Sequence, residues 1–421
     1  MKHPIPKKHR LEELLALAQA YRGWSGRQLA AQLGRDPSNL IPDSGIPKLD
    51  LVIRLADVLD WPIEELIKDL CDQRCLTAAS DDDADPTFTS LDREAVKAYE
   101  AGDYELMVQK AREAYDLADT GEEKAKACNR EFGGWDGMGR YMDALDAGQR
   151  GLDEINVSQD MRLLLRANLA NAYYNLGDLF ESKGLATDII KWIDEDKSES
   201  VASRIAEAMA RYVAGQSCRR LAYGETREMA EAFAEDAIEQ LEIGRSLFLQ
   251  LESDFNMPAY GGIANTCLGG RMEALVILGK RSAEDTVKEY LASLDKIIDG
   301  QDDLVGDWLE SYGWWCIFGC NVALQFMKDE RELQQAMAIF TNKADEIAQR
   351  LGNWVLRERV LTMEYVRRER LGEWTGTDME WAMDRDDLQV IAGAMGRFPR
   401  FRDTAWKILR TAKVVQAKGN G

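Results

Sequence analysis

The chain has 421 residues, 45% of them hydrophobic and 30% charged, with a net charge of -21. That composition excludes a disordered or low-complexity protein, and the length exceeds what one compact core normally holds, so several domains or an extended repeat array are expected. Apolar runs are broken by charge far short of the roughly 20 residues a membrane-spanning helix needs. The basic start leads into an amphipathic segment with Glu12 and Glu13 rather than a signal-peptide core. No membrane partner is therefore expected, and cytoplasmic residence is the default reading.

The seven cysteines include Cys71/Cys75 and Cys316/Cys320, each spaced C-x-x-x-C, and both histidines, His3 and His9, lie in the N-terminal tail. This is not the paired spacing of a zinc site. Reduced, buried thiols and no metal or cofactor are expected. Residues 1–70 hold ten Lys/Arg and ten Asp/Glu, leaving the whole -21 on residues 71–421. Any contact with a polyanion belongs at the chain ends.

In chain order, residues 1–10 form a basic arm in which Lys7, Lys8 and Arg10 are candidates to follow a nucleic-acid backbone. Leu11, Leu14, Leu15, Leu17, Ala18 and Tyr21 mark one face of a helix that Gly23 ends. Ser25 caps a second helix with Leu29, Ala30 and Leu33 inward, and Gly34 closes it. Asp36 and Pro37 open a short third helix over 37–41, which Pro42 and Gly45 end. Leu49 to Leu59 and Ile63 to Leu70 supply two more amphipathic helices, making a five-helix domain over residues 11–72.

The stretch QLAAQLGRDPSNLIPDSGIPKLDLVIRLADVLDWPIEEL resembles the lambda-repressor-like, or Xre-type, helix-turn-helix family. The likeness rests on small Ala30 and Ala31, Gly34 in the turn, and the later G-x-P and L-A-x-x-L pattern. It implies that 37–41 is a recognition helix presenting Ser38 and Asn39 to base edges, with Arg35 at its entrance and Asn39 suited to pair with adenine. Arg27, Gln28 and Lys48 complete the expected DNA-binding set.

Residues 73–90, with the acidic run SDDDADP, read as a linker. From residue 91 to 396 a helical pattern repeats. A-Y-E-A-G-D-Y-E-L-M, G-R-Y-M-D-A and L-A-N-A-Y-Y-N-L-G-D-L place turn glycines at Gly102, Gly139 and Gly177, 37 and 38 residues apart. This is near the period of tetratricopeptide (TPR) arrays, about 34 residues. Helical pairs are expected again over 203–242, 258–298 and 304–351, with another beginning at Asn353, and no strand is expected. The tract GGWDGMG over 133–139 reads as a loop between two helices, since it lacks the preceding strand of a phosphate loop.

The expected fold is thus all-α, a helix-turn-helix domain followed by a TPR-like α-solenoid. On that reading Asn168, Asn171 and Asn175 share one face of an inner helix, with Asn129, Asn265 and Asn321 on neighbouring inner helices. Asparagine offers both donor and acceptor, so such a row suits the backbone of an extended peptide, and inter-repeat hydrogen bonding is the alternative. Residues 397–421, with seven Lys/Arg against Asp403 alone, read as a basic capping helix and tail.

The combined architecture resembles the peptide-responsive cytoplasmic regulators of the Rgg, PlcR and arbitrium-receptor type. The resemblance implies a DNA-binding homodimer whose repeats take up a peptide or protein ligand. Pro42 and the scarcity of Arg and Lys in 37–41 leave open a non-enzymatic interaction scaffold that no longer reads DNA. No nucleophile with a base, metal spacing or phosphate loop points to an enzyme.

Overall fold

The computed structural model describes residues 8–37, 40–42, 47–59, 61, 63, 66–67, 70, 86–196, 200–224, 226–299, 306–377 and 381–414. Two units, Met1–Ala84 and Asp85–Gly421, hold their contacts within themselves. The architecture is all-α apart from one short pair of strands.

In the first unit, helix α1 (Lys8–Arg22) starts three residues earlier than its apolar face, so Lys8, His9 and Arg10 belong to a helix and not to an arm. Helix α2 (Gly26–Gln32) is seven residues long and begins at a reciprocal cap between Ser25 and Gln28. Helix α3 (Leu49–Leu59) follows. Gly23 and Gly34, at φ +67° and +66°, reverse the chain after α1 and α2 in a conformation that favours glycine.

Leu11, Leu14, Leu15 and Ala18 of α1 bury one stripe against Leu29 and Leu33 near α2 and Leu51, Leu55 and Leu59 of α3. Leu66 and Leu70 join this core from helical backbone. Each buried leucine contributes about 1.5–3 kcal/mol. That packing is what keeps so short a helix as α2 formed, since isolated helices of this length are unstable in water. Leu40 and Ile41 pack on the same core in a bend rather than in α-helix, and Ser38 and Asn39 lie outside the described residues.

The second unit opens at α4 (Phe88–Glu100), capped by Thr87 inside the stretch read as linker. Hairpins follow: α4 with α5 (Tyr104–Asp116), α6 (Gly121–Gly137) with α7 (Tyr141–Asp153), and α8 (Gln159–Leu176) with α9 (Leu179–Asp196). Three longer ones are α10 (Val201–Leu221) with α11 (Arg227–Phe255), α12 (Pro258–Ile277) with α13 (Ala283–Asp299), and α14 (Gly306–Phe326) with α15 (Glu330–Leu351). After α16 (Trp354–Thr375) the chain forms β1 (Trp381–Met383), α17 (Arg385–Arg397), a 3-10 turn over Pro399–Phe401, α18 (Arg402–Thr411) and β2 (Ala412–Val414).

Every even-numbered helix from α4 to α16 touches the next even-numbered one, so the hairpins stack in chain order with those helices forming one continuous layer. The repeating glycines end helices as expected, with Gly102, Gly139 and Gly177 all at positive φ. The GGWDGMG tract corrects the expectation of a loop, because Gly133 to Gly137 lie within α6. A Cβ on Gly134 would meet Val108 Cγ2 at 2.6 Å, and one on Gly137 would meet the Tyr104 ring at 2.6 Å. The glycines are there to let α5 cross closely.

The C-terminal segment also departs from the sequence reading. Its helix stops at Thr411, and β2 pairs in parallel with β1, Trp381 opposite Ala412 and Met383 opposite Val414. Strand periodicity over three residues is too short to register in sequence. This end of the array reaches back to its beginning: Tyr141 packs 6.2 Å from Phe398, Arg397 Nε donates to the Met138 carbonyl at 3.2 Å, and Arg400 pairs with Asp178. The stack of hairpins therefore bends round until its last helices meet the α6–α7 and α8–α9 turns.

Candidate functional site

Two regions concern function, one in each unit. In the first, Arg27 and Gln28 sit in the exposed first turn of α2, and Lys48 is exposed just before α3. Gln28 is committed to the cap, its Oε1 accepting from Ser25 N at 2.8 Å. Arg35 Nη2 binds both carboxylate oxygens of Asp50 at 2.7 Å, which turns its guanidinium toward α3. Lys8 is exposed and Arg10 half-buried on α1, while Lys7, Ser38 and Asn39 lie outside the described residues. A shallow cleft beside Arg27 is floored by Leu15, Ala16, Leu40 and Ile41. Of the candidate DNA-contacting side chains, the fold thus leaves Lys8, Arg27 and Lys48 directed to solvent and draws Gln28 and Arg35 into local structure.

In the second unit the asparagines do lie on the inner, even-numbered helices. Their amides point at one another and at neighbouring helices: Asn168 Nδ2 donates to Asn129 Oδ1 at 2.8 Å, and Asn265 Nδ2 to Ser311 Oγ at 2.8 Å. Asn321 Nδ2 donates to Glu273 Oε1 at 3.2 Å, Asn171 Nδ2 reaches Asp136 Oδ1 at 3.5 Å, and Asn175 is buried. Apart from Asn175, the row makes inter-helix hydrogen bonds, the alternative the sequence left open.

Ion pairs complete this framework. Arg219 of α10 and Glu273 of α12 are both buried and joined at 2.7 Å, with Tyr223 Oη and Asn321 Nδ2 donating to the same Glu273 Oε1. Burial works against the Arg219 charge, but the Glu273 carboxylate outweighs it and keeps the guanidinium protonated. Glu131 of α6 is held by Arg112 at 2.8 Å, Arg150 at 2.5 Å and Trp135 Nε1 at 3.1 Å. Burial pushes its carboxyl up, yet the two guanidiniums prevail and bring it below the usual range.

A different set of inner-face groups has no ion-pair partner among the described residues. Asp136 of α6 and Asp307 and Glu310 of α14 are half-buried inside the curve of the stack. Burial and then the nearby Asp307 raise Asp136 to about 7, and burial, Asp307 and Asp136 raise Glu310 to about 7, although Trp314 Nε1 donates to Glu310 Oε1 at 3.0 Å. Burial and the same carboxylates push the Tyr104 phenol up, and Tyr99 packs against Tyr104 at 6.2 Å. Chemically this is an aromatic-edged group of carboxylates that resist ionising together, suited to a cationic partner.

Sequence reasoning missed these carboxylates because Asp136 and Glu310 belong to helices far apart in the chain. Only Asp136, inside the glycine tract, carried any local signal. Five cysteines, Cys128, Cys218, Cys267, Cys316 and Cys320, are free and buried, with burial raising each thiol. They are not reactive thiols. Among the described residues, no helix is long and apolar enough to cross a membrane. No protein-family model matches the chain, and no curated protein is significantly similar to it in sequence.

Proposed function

We propose that the protein is a cytoplasmic, homodimeric DNA-binding transcriptional regulator, in which a lambda-repressor-like helix-turn-helix domain is controlled by a TPR-like array. The array takes up a peptide or protein ligand on its inner face. The observation that carries the sensing role is the unneutralised group Asp136, Asp307 and Glu310 inside the curve of the stack. Such a group is costly in an empty protein and is relieved by a cationic partner, such as a peptide amine or a lysine or arginine side chain. On the DNA side, support comes from the capped α2, the Gly34 turn and the solvent-facing Arg27 and Lys48.

Gel retardation with genomic fragments at low salt tests the DNA role. The expected result is retardation that weakens steeply with salt, with Arg27→Ala and Lys48→Ala each lowering affinity and reducing the salt slope by about one. Absence of retardation at low salt overturns it. That outcome supports the second reading, a non-enzymatic interaction scaffold, which the capture of Arg35 by Asp50 favours.

A further inference from the structure

Where the end of the array meets its beginning, two arginines converge on one indole, while Arg140 stacks on the neighbouring Trp135 ring at 4.4 Å. The Arg397 guanidinium of α17 lies 3.9 Å over the Trp354 ring, and Arg357 of α16 lies 4.9 Å from the same ring. The turn that carries Arg140 presses on this indole, since a Cβ on Gly139 would stand 2.8 Å from Trp354 Cβ and 3.7 Å from Arg397 Cδ. A Cβ on Gly393 would meet the same ring at 2.2 Å, so α17 packs its backbone directly against the Trp354 indole.

The charges at this seam are poorly matched. Arg140 is paired with Asp143 at 2.8 Å. Among the described residues Arg397 donates only to two carbonyls, Met138 at 3.2 Å and Gly393 at 3.1 Å. Arg357 makes no hydrogen bond or ion pair among the described residues, and its Nε is buried without a partner. Asp345 lies near Arg357 but accepts from Gln349 and forms no ion pair with it. Burial and the charges of Arg140 and Arg357 lower the Arg397 pKa, as expected for cations held together without a counter-charge.

Two positive charges, on Arg357 and Arg397, therefore have no ion-pair partner among the described residues, beside the contact between the two ends of the array. Arginine forks match the oxygens of a tetrahedral oxyanion, and a phosphate group carries close to two negative charges at pH 7. We propose that the seam formed by Arg140, Arg357, Arg397 and Trp354 is a binding site for a phosphate-type oxyanion, whose occupancy clamps the C-terminal helices against the α6–α7 turn. The clamp is independent of the DNA-binding reading. It joins elements separated by 259 residues in sequence, so its occupancy adds to the contacts that hold the array closed.

Thermal unfolding of the full-length chain, with phosphate titrated against chloride at matched ionic strength, tests this. The expected result is a saturable rise in Tm with inorganic phosphate, a larger one with a phosphomonoester if the natural ligand is a phosphorylated metabolite, and none with acetate. Arg357→Gln, which removes no hydrogen bond, is expected to weaken apparent phosphate affinity at least tenfold, and Arg357→Lys several-fold. A phosphate response no greater than that of chloride, or one undiminished in Arg357→Gln, overturns the proposal. If Arg357→Gln does not fold, Arg357→Lys decides: unchanged affinity in that variant overturns it equally.

Discussion

Single residues carry uneven weight because burial decides what a missing partner costs. Replacing Arg219 by Met strands Glu273, which is fully buried, and is expected to cost about 3–5 kcal/mol. Replacing both by Met is expected to cost clearly less than the two single changes together, measured as a double-mutant cycle in urea. Glu131 behaves differently because Arg112 and Arg150 are themselves partly exposed. Glu131→Gln should cost about 1–3 kcal/mol at pH 7. The folded-state pKa of Glu131 lies below its unfolded value, so its contribution is present above the ordinary carboxylate range and vanishes as pH falls through the folded value. Denaturation at pH 7 and pH 3 should show the variant's deficit shrinking in acid. A deficit that stayed constant would disprove the ion-pair account.

At the scale of elements, glycine is the residue that sets how closely helices cross. A Cβ on Gly262 of α12 would stand 2.4 Å from the Asp307 carbonyl carbon of α14, and one on Gly121 would stand 1.8 Å from the Ile155 carbonyl oxygen. Backbone cannot retreat as a side chain can, so Gly262→Ala should destabilise the second unit by about 1–3 kcal/mol or more. Gly184, within α9, has nothing within 4 Å of its would-be Cβ. There the same substitution should stabilise by about 0.5–1 kcal/mol through helix propensity. Equal effects at the two sites, read from thermal melts, would show that crossing distance is not what these glycines provide.

At the scale of the whole molecule, the curvature of the array gathers carboxylates from α6 and α14. Asp136 and Glu310 have folded-state pKa values of about 7, above their ordinary values of 3.8 and 4.5. A carboxyl raised in this way favours the folded state most when protonated. Stability from this group is therefore full below about pH 4 and declines as pH rises toward 7, where the folded protein must accept the charges. Asp307→Asn, which removes the shared neighbour, should raise Tm more at pH 8 than at pH 5. An equal shift at both values would argue against the cluster. A cationic peptide that binds at this group should likewise bind more tightly at pH 8 than at pH 5.

The α-helical class, the glycine-ended helices and the hairpin spacing were legible in the sequence, because they follow from local chemistry. Apolar side chains at helical intervals, Ser25 as a cap and Gly102, Gly139 and Gly177 at positive φ act over a few residues. Other features were decided only by the tertiary structure. Four of the asparagine amides proved to donate across helices, the GGWDGMG tract became a helix face shaped for α5, and Ala412–Val414 formed a strand beside β1. The carboxylate group and the arginine seam arise only when the stack bends round on itself. Each brings a residue of α6 or its following turn against residues more than a hundred positions later, and electrostatics acts through space while sequence patterns act along the chain.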